Sequence, residues 1–250
     1  MASFIAALPM YDWIECADET RSLWHKIENM LRGAGFDDTV EFIRPSLGEG
    51  PENLLAASNL LMSQTCWGPI SRGKTPPLTI LAQPDYSAFI GGSGPLYRSA
   101  IIATGSGENL AVPPPDKAAL PLDYMRTARF AFNDKTSLSG MLAVQEDFSA
   151  KTGENGLFRQ TALVSGGHQN SVRMVAEATA DIAAIDCRSW ALACKYEPSA
   201  KGVHIIGWTA QRMGLPYVCS PRIDPAKVAL LRSILIEMGC FKPETTSVLP

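Results

Sequence analysis

The sequence predicts an α/β protein of two lobes, each built around a β-sheet. Three consecutive strand–turn–helix units begin near Phe130, Ala162 and Asp181, and such a series is typical of parallel strands joined by right-handed crossovers. Residues 105–121, rich in glycine and proline, precede these units and indicate a boundary. Strand-like segments lie before this boundary and after residue 202, so we expect the chain to cross between the lobes twice, near residues 103–106 and 206–215.

The first predicted lobe consists of residues 1–104 and 207–250. Its amphipathic helix at residues 19–32 carries Leu23, Ile27 and Leu31 on one face and stops at Gly33. A second such helix closes the chain at residues 225–238. Short apolar runs predict the strands. They lie at residues 3–8, 39–43, 78–82 and 99–104, and residues 54–62 indicate a short helix followed by a strand.

The second predicted lobe consists of residues 105–206, and its strands end in polar turns. The strand at 130–132 is followed by a turn and by a helix that opens with Ser137, Ser139 and Gly140. The next strand ends in a Ser-Gly-Gly turn before His168, and the third ends at Asp186. Ligands of parallel sheets bind at the carboxyl ends of the strands, so these turns are the predicted binding edge.

The start of the helix at Ser137 is a candidate anion site. Two hydroxyl groups and free backbone N–H groups converge there, and the positive end of the helix dipole lies behind them. Serine at a helix start is also an ordinary N-cap, so capping alone is the competing interpretation for Ser137 and Ser139.

Composition excludes several classes of function. The chain has 250 residues, 46% of them hydrophobic, and a net charge of −3 with scattered lysine and arginine, which argues against nucleic acid as a partner. It contains no apolar run near the ~18 residues of a membrane span, so we expect no membrane insertion. Six cysteines without a C-x-x-C pair and three scattered histidines predict neither a metal site nor a cofactor.

Several motifs together resemble the substrate-binding proteins of phosphate and phosphonate ABC transporters. The resemblance spans nearly the whole chain, and no single motif decides it. The motifs are A-L-P-M-Y-D from Ala7, S-Q-T-C from Ser63, L-Y-R-S-A-I-I from Leu96, F-N-D-K-T-S-L-S-G from Phe132, S-G-G-H-Q-N-S-V from Ser165 and A-D-I-A-A-I-D from Ala180. The resemblance implies a type 2 periplasmic-binding-protein-like fold, with a mixed β-sheet in each lobe and an interlobe cleft.

The resemblance also implies roles for individual residues. In the phosphonate-binding members the oxyanion lies on the helix after an S-x-S motif, which corresponds to Ser137 and Ser139 with Gly140. A tyrosine and a histidine of the family correspond to Tyr97 and His168, and the pKa of such a histidine would rise beside an anion. Aminophosphonate binders hold the ligand ammonium with acidic residues, whereas Arg188 and Leu215 lie near those positions here, which disfavours an aminophosphonate.

For the other candidate residues, the sequence leaves two alternative roles open. Tyr11, Gln64 and Thr65 lie at strand ends of the first lobe and either line the cleft or pack. Asp186 either caps its helix or contacts the ligand, and Arg98 either supplies charge or faces solvent. A Cys66–His168 nucleophile pair is disfavoured because the two residues fall in different predicted lobes.

The predicted function is therefore the binding of a small phosphate- or phosphonate-like oxyanion. The protein would serve as the substrate-binding component of an ABC transporter, with a permease as partner, or as a related sensor, and would not be an enzyme. The alternative is an enzyme on the same scaffold that acts on a small anionic metabolite, since a fold does not fix a function. The resemblance implies a periplasmic location; the sequence as given shows no signal peptide, which would leave a chain complete at this start in the cytoplasm.

Overall fold

A computed structural model describes residues 3–44, 51–105, 107–158 and 161–243 and shows an α/β chain with mixed sheets. The strands are β1 (Ser3–Ala6), β2 (Thr39–Phe42), β3 (Leu60–Gln64), β4 (Thr79–Ala82), β5 (Leu96–Tyr97), β6 (Ser99–Thr104), β7 (Phe130–Phe132), β8 (Ala162–Val164), β9 (Ile182–Asp186), β10 (Val203–Trp208), β11 (Arg212–Met213) and β12 (Tyr217–Cys219). The α-helices are α1 (Ala17–Gly33), α2 (Pro51–Ala56), α3 (Trp67–Ser71), α4 (Leu122–Met125), α5 (Ala143–Thr152), α6 (His168–Ala176), α7 (Cys187–Tyr196) and α8 (Pro225–Glu237).

The chain divides into two compact units, whose limits differ from those of the predicted lobes. One unit is Met1–Asp85 with Gly214–Pro250, and the other is Tyr86–Met213. β6 and all of β10 therefore belong to the second unit, where β6 pairs with β10 on one side and with β9 on the other. The Gly/Pro-rich stretch lies inside this unit and marks no boundary; of the predicted crossing at 103–106, residue 106 falls outside the described residues.

The first unit contains a five-stranded sheet in the order β2-β1-β3-β12-β4. β1 runs parallel to β2 and β3, while β12 runs antiparallel to β3 and β4, so this sheet is mixed. The predicted apolar faces of α1 and α8 are buried in one core against the sheet, where Ile27, Leu31, Leu231 and Leu235 have almost no exposed surface. The spacing of apolar residues in these helices therefore predicted correctly which side of each helix is buried.

The second unit contains a five-stranded sheet in the order β10-β6-β9-β7-β8. β7 runs parallel to β8 and to β9, so the predicted series of parallel strand–helix units is confirmed. β6 is antiparallel to β9 and β10, which makes this sheet mixed as well. Parallel strands end at one edge, so the segments after β7, β8 and β9 lie side by side.

Arg98 lies between β5 and β6, and its guanidinium group is buried. The residue is only 1% exposed, so neither predicted role, charge supply or solvent contact, describes it. Its two terminal nitrogens donate hydrogen bonds to the backbone carbonyl oxygens of Pro113, Pro114, Pro115, Lys117 and Thr209 at 2.6–3.3 Å. Arg98 therefore holds the proline-rich segment in place within the second unit.

Membrane-spanning helices and clusters of metal-ligating side chains are both absent from the residues that the structure describes. No helix there combines the length and the apolar character that a membrane span requires. Within the same residues, no group of three or more histidine, cysteine, aspartate or glutamate side chains is arranged to hold a metal ion.

Candidate functional site

The helix after β7 begins at Ser137, as the sequence predicted. Ser137 has an extended backbone, and its Oγ accepts a hydrogen bond from the backbone N–H of Gly140 at 3.1 Å, which makes it the N-cap. The first turn, Leu138–Leu142, is a wide π-helical turn, and α5 continues from it without a break. Ser137 is thus the capping residue, while Ser139 lies inside the first turn and has no capping role.

Ser139 is the point at which three elements meet. Its Oγ lies 3.5 Å from Ser137 Oγ and 3.0 Å from Nε2 of His168, the first residue of α6. From β6, Ser99 Oγ donates a hydrogen bond to the backbone carbonyl oxygen of Ser139 at 2.9 Å. The side chain of Ser139 is therefore fixed in place for hydrogen bonding, although the helix does not need it as a cap.

His168 is held against Asp186 at the end of β9. Its Nε2 atom lies 3.3 Å from Asp186 Oδ2, and 11% of the histidine side chain is exposed. Burial lowers the pKa of His168 below its usual value, and the Asp186 carboxylate opposes this effect only in part. The ring is consequently neutral near pH 7 in the protein described here; the raised pKa expected from the sequence applied to a site that holds an anion.

Asp186 is the N-cap of α7. Its Oδ1 accepts hydrogen bonds from the backbone N–H groups of Arg188 and Ser189 at 3.1 and 3.0 Å, and the residue is 2% exposed. The structural interpretation of Asp186 is therefore correct as far as Oδ1 is concerned. Its Oδ2 faces His168 and can act on the site through this contact.

Ser139, His168 and Asp186 are the residue types of a hydrolytic triad, but their geometry differs from that of one. In a triad the nucleophile and the carboxylate bind opposite nitrogens of the imidazole, so that the ring can pass a proton between them. Here both lie beside Nε2, whereas Nδ1 is buried and has no hydrogen-bond partner among the described residues. The arrangement can bind a polar group but does not form a proton relay.

Tyr97 also lies in the second unit, on β5. It is buried, and its ring lies 5.7 Å from that of Tyr86, centroid to centroid. The antiparallel pairing of β5 with β11 places Arg212 opposite Tyr97. Ser99, two residues after Tyr97, contacts Ser139. The chain around Tyr97 is therefore connected to the helix start at Ser137.

The remaining candidates belong to the first unit. Tyr11 ends a short 3-10 turn and is buried, and its carbonyl oxygen accepts a hydrogen bond from the Cys16 thiol at 3.1 Å. Gln64 ends β3, and its Nε2 donates to the carbonyl oxygen of Leu215 at 3.0 Å. The backbone N–H of Thr65 donates to the carbonyl oxygen of Pro216 at 3.2 Å. These contacts tie β3 to the segment before β12, which is a structural role.

Sequence reasoning missed Asn133 and Ser99 at this site. Asn133 directly follows β7, where the sequence predicted only a turn. A Cβ atom added at Gly140 would lie 1.9 Å from Asn133 Oδ1, so the amide covers the first turn of the helix. A polar residue at the carboxyl end of a parallel strand was the signal that could have identified Asn133. Ser99 gave no such signal, because it opens an apolar strand.

A family model matches more than half of the chain. Residues 77–249 match the family model described as the periplasmic substrate-binding protein of a phosphonate ABC transporter. No curated protein sequence matches the chain.

Solved structures share the fold at low sequence identity. PhnD1 of Prochlorococcus marinus in complex with methylphosphonate has a TM-score of 0.68 and 16% identity, over 93% of this chain and 83% of its own. A binding protein component of an ABC phosphonate transporter from Pseudomonas aeruginosa has a TM-score of 0.65 and 16% identity, over 92% and 72%. A Xanthomonas citri protein bound to ATP has a TM-score of 0.63 and 14% identity, over 95% and 83%.

These likenesses establish the α/β, two-lobed periplasmic-binding-protein-like fold class, and the family match covers more than half of the chain. The chain belongs to the family of periplasmic substrate-binding proteins of phosphonate ABC transporters.

Proposed function

We propose that the protein binds a small phosphonate- or phosphate-like oxyanion at the start of the helix that Ser137 caps. Within the family, it would deliver this ligand to an ABC transporter permease or report it as part of a related sensor. The observation that carries the proposal is the hydroxyl of Ser139, which is buried in the first turn, contacts His168 Nε2 at 3.0 Å and is not needed as a cap.

Three features of this helix start favour an anion. The first N–H groups of a helix have no acceptor within it, and the helix dipole adds positive potential there. The wide turn and α5 together run from Leu138 to Thr152, which is long enough for a developed dipole. The hydroxyl groups of Ser137 and Ser139 supply further donors without a permanent charge.

The proposed ligand carries no ammonium group. Arg188 lies in the first turn of α7, and its guanidinium group lies over the Phe89 ring at 5.8 Å from the ring centroid. Its backbone N–H is bound to Asp186, so a positive side chain begins directly beside the site. We therefore expect alkylphosphonates and phosphate to bind more tightly than an aminoalkylphosphonate.

Isothermal titration with methylphosphonate tests the proposal in three serine variants. Ser139→Ala removes a donor to a charged acceptor, an interaction worth about 1.5–3 kcal/mol, so we expect roughly ten- to hundredfold weaker binding. Ser137→Ala should in addition lower stability by about 1 kcal/mol because it removes the cap. Ser149→Ala is the control, since Ser149 lies on the same helix and its hydroxyl donates to Asn155 at the far end.

The outcome separates binding from mere capping. If Ser139→Ala binds methylphosphonate as the parent does, the ligand site lies elsewhere. An enzyme would convert the ligand, whereas a binding protein leaves it intact. We therefore expect phosphorus NMR of the ligand after long incubation with the protein to show it unchanged. Appearance of a product would favour the alternative enzymatic function.

A further inference from the structure

The carbonyl oxygen of the Asn133 side chain is a buried acceptor at the proposed ligand site. Asn133 Oδ1 is almost completely buried and has no hydrogen-bond partner among the described residues. It lies against Gly140, in the turn where Ser137 and Ser139 present their hydroxyl groups. A buried acceptor without a donor is unfavourable, and in a binding site the missing donor is expected from the ligand.

Asp186 provides a second acceptor near Ser139, because Asp186 Oδ2 and Ser139 Oγ both lie beside Nε2 of His168. Asp186 Oδ2 faces His168 Nε2 at 3.3 Å, and the other partners of this carboxylate in the described residues are two backbone N–H groups. No described lysine or arginine side chain forms an ion pair with Asp186. Burial lowers the pKa of His168 and so favours its neutral form, which does not offset the Asp186 carboxylate.

These two observations constrain the protonation of the ligand. A fully deprotonated oxyanion offers only acceptors, so it would satisfy the serine hydroxyls but leave Asn133 Oδ1 unpaired and add repulsion with Asp186. A tetrahedral oxyanion that retains one proton brings an O–H donor and carries one negative charge fewer than its fully deprotonated form. Phosphonates and phosphates retain such a proton near neutral pH, whereas sulfonates and sulfate do not.

We propose that Asn133 accepts a hydrogen bond from the hydroxyl group of a protonated tetrahedral oxyanion and thereby selects hydrogen phosphonates and hydrogen phosphates over sulfonates and sulfate. The proposal rests on the ligand site proposed above and adds to it a specificity residue and the protonation state of the ligand. Sites built to hydrogen-bond a hydroxyl group reject analogues that lack it far more strongly than apolar pockets reject a missing methylene.

Competition between methylphosphonate and methanesulfonate tests this directly, because the two differ mainly in the hydroxyl group. We expect the parent protein, titrated calorimetrically at about pH 6, to bind methylphosphonate at least a hundredfold more tightly than methanesulfonate. Asn133→Leu, which keeps the branching of the side chain but removes the acceptor, should reduce this ratio to below about tenfold, mainly by weakening methylphosphonate. Asn155→Leu, an exposed site in the loop after α5, should leave the ratio unchanged.

Each outcome decides one point. If the parent binds the two ligands within about threefold, selection by protonation is wrong while phosphonate binding stands. If Asn133→Leu folds and retains the parent ratio, Asn133 is not the acceptor. If Asn133→Leu does not fold, the parent ratio still decides whether a protonated ligand is selected, and Asn133→Ala, a smaller replacement without an acceptor, tests the role of Asn133. If the parent binds neither ligand, the proposed function fails and this inference fails with it.

Discussion

The side-chain oxygen of Asn133 occupies the space that a Cβ atom on residue 140 would need. An added Cβ would lie 1.9 Å from Asn133 Oδ1 and 3.2 Å from Ser137 Oγ, so a larger residue fits only if the amide or the turn moves. Glycine at position 140 therefore allows the Asn133 amide to lie against the first turn of the helix.

We predict that Gly140→Ala lowers the free energy of unfolding and weakens methylphosphonate binding. The added methyl group must displace Asn133 or the turn, and such overpacking costs about 1–3 kcal/mol. Urea unfolding and calorimetric titration measure the two effects. Gly33→Ala is the control, because nothing lies within 4 Å of its added Cβ at the end of α1. Equal stability of Gly140→Ala and the parent would contradict the observed packing.

His168 should make stability depend on pH. Its pKa is lowered by burial, so below its ordinary value of about 6.5 the unfolded chain binds a proton that the folded chain does not yet bind. The free energy of unfolding should therefore fall as the pH decreases below about 6.5, until the lower pKa of the folded state is passed. We expect His168→Gln to lose less stability than the parent between about pH 8 and pH 5.5, measured by urea unfolding. His25→Gln, an exposed site on α1, should behave as the parent does.

Replacement of Asp186 should separate its capping role from its charge. Asp186→Asn retains an oxygen for the N–H groups of Arg188 and Ser189 but removes the charge beside His168, so the pKa of His168 should fall further. NMR titration of the imidazole protons measures this shift. Asp186→Ala should also lose the cap and about 0.5–2 kcal/mol of stability. A raised His168 pKa in Asp186→Asn would contradict the assigned contact.

Arg98→Lys should destabilise the second unit although it keeps the charge. An ammonium group offers three donors at one point, whereas the guanidinium group reaches five carbonyl oxygens with its two terminal nitrogens. The buried carbonyls left unpaired should cost at least about 2 kcal/mol. Limited proteolysis at residues 113–117 should become faster, while Arg126→Lys, in an exposed pair with Asp123 and Glu154, should change little. Unchanged proteolysis in Arg98→Lys would contradict the anchoring role.

The sequence predicted the local parts of this site because the patterns that specify them are local. A polar turn after an apolar strand located Ser137, Ser139 and His168, and the adjacency of β7 and β8 brought them together. Long-range pairing was not predictable in this way: β6 reads as a strand in either unit, and only its register with β9 and β10 assigns it. Nor could the sequence show that Arg98 is buried, since arginine is rarely enclosed and its partners are backbone atoms 15 to 111 residues away.

The contacts of Arg98 have a consequence for how the proline-rich segment is tolerated next to a sheet. Three consecutive prolines carry carbonyl oxygens but no N–H groups. A neighbouring strand could donate hydrogen bonds to such a segment but could receive none from it. Arg98 supplies donors and needs no acceptors in return, which matches this one-sided demand. A single side chain thus supplies hydrogen bonds that strand pairing could not have supplied in full to these prolines.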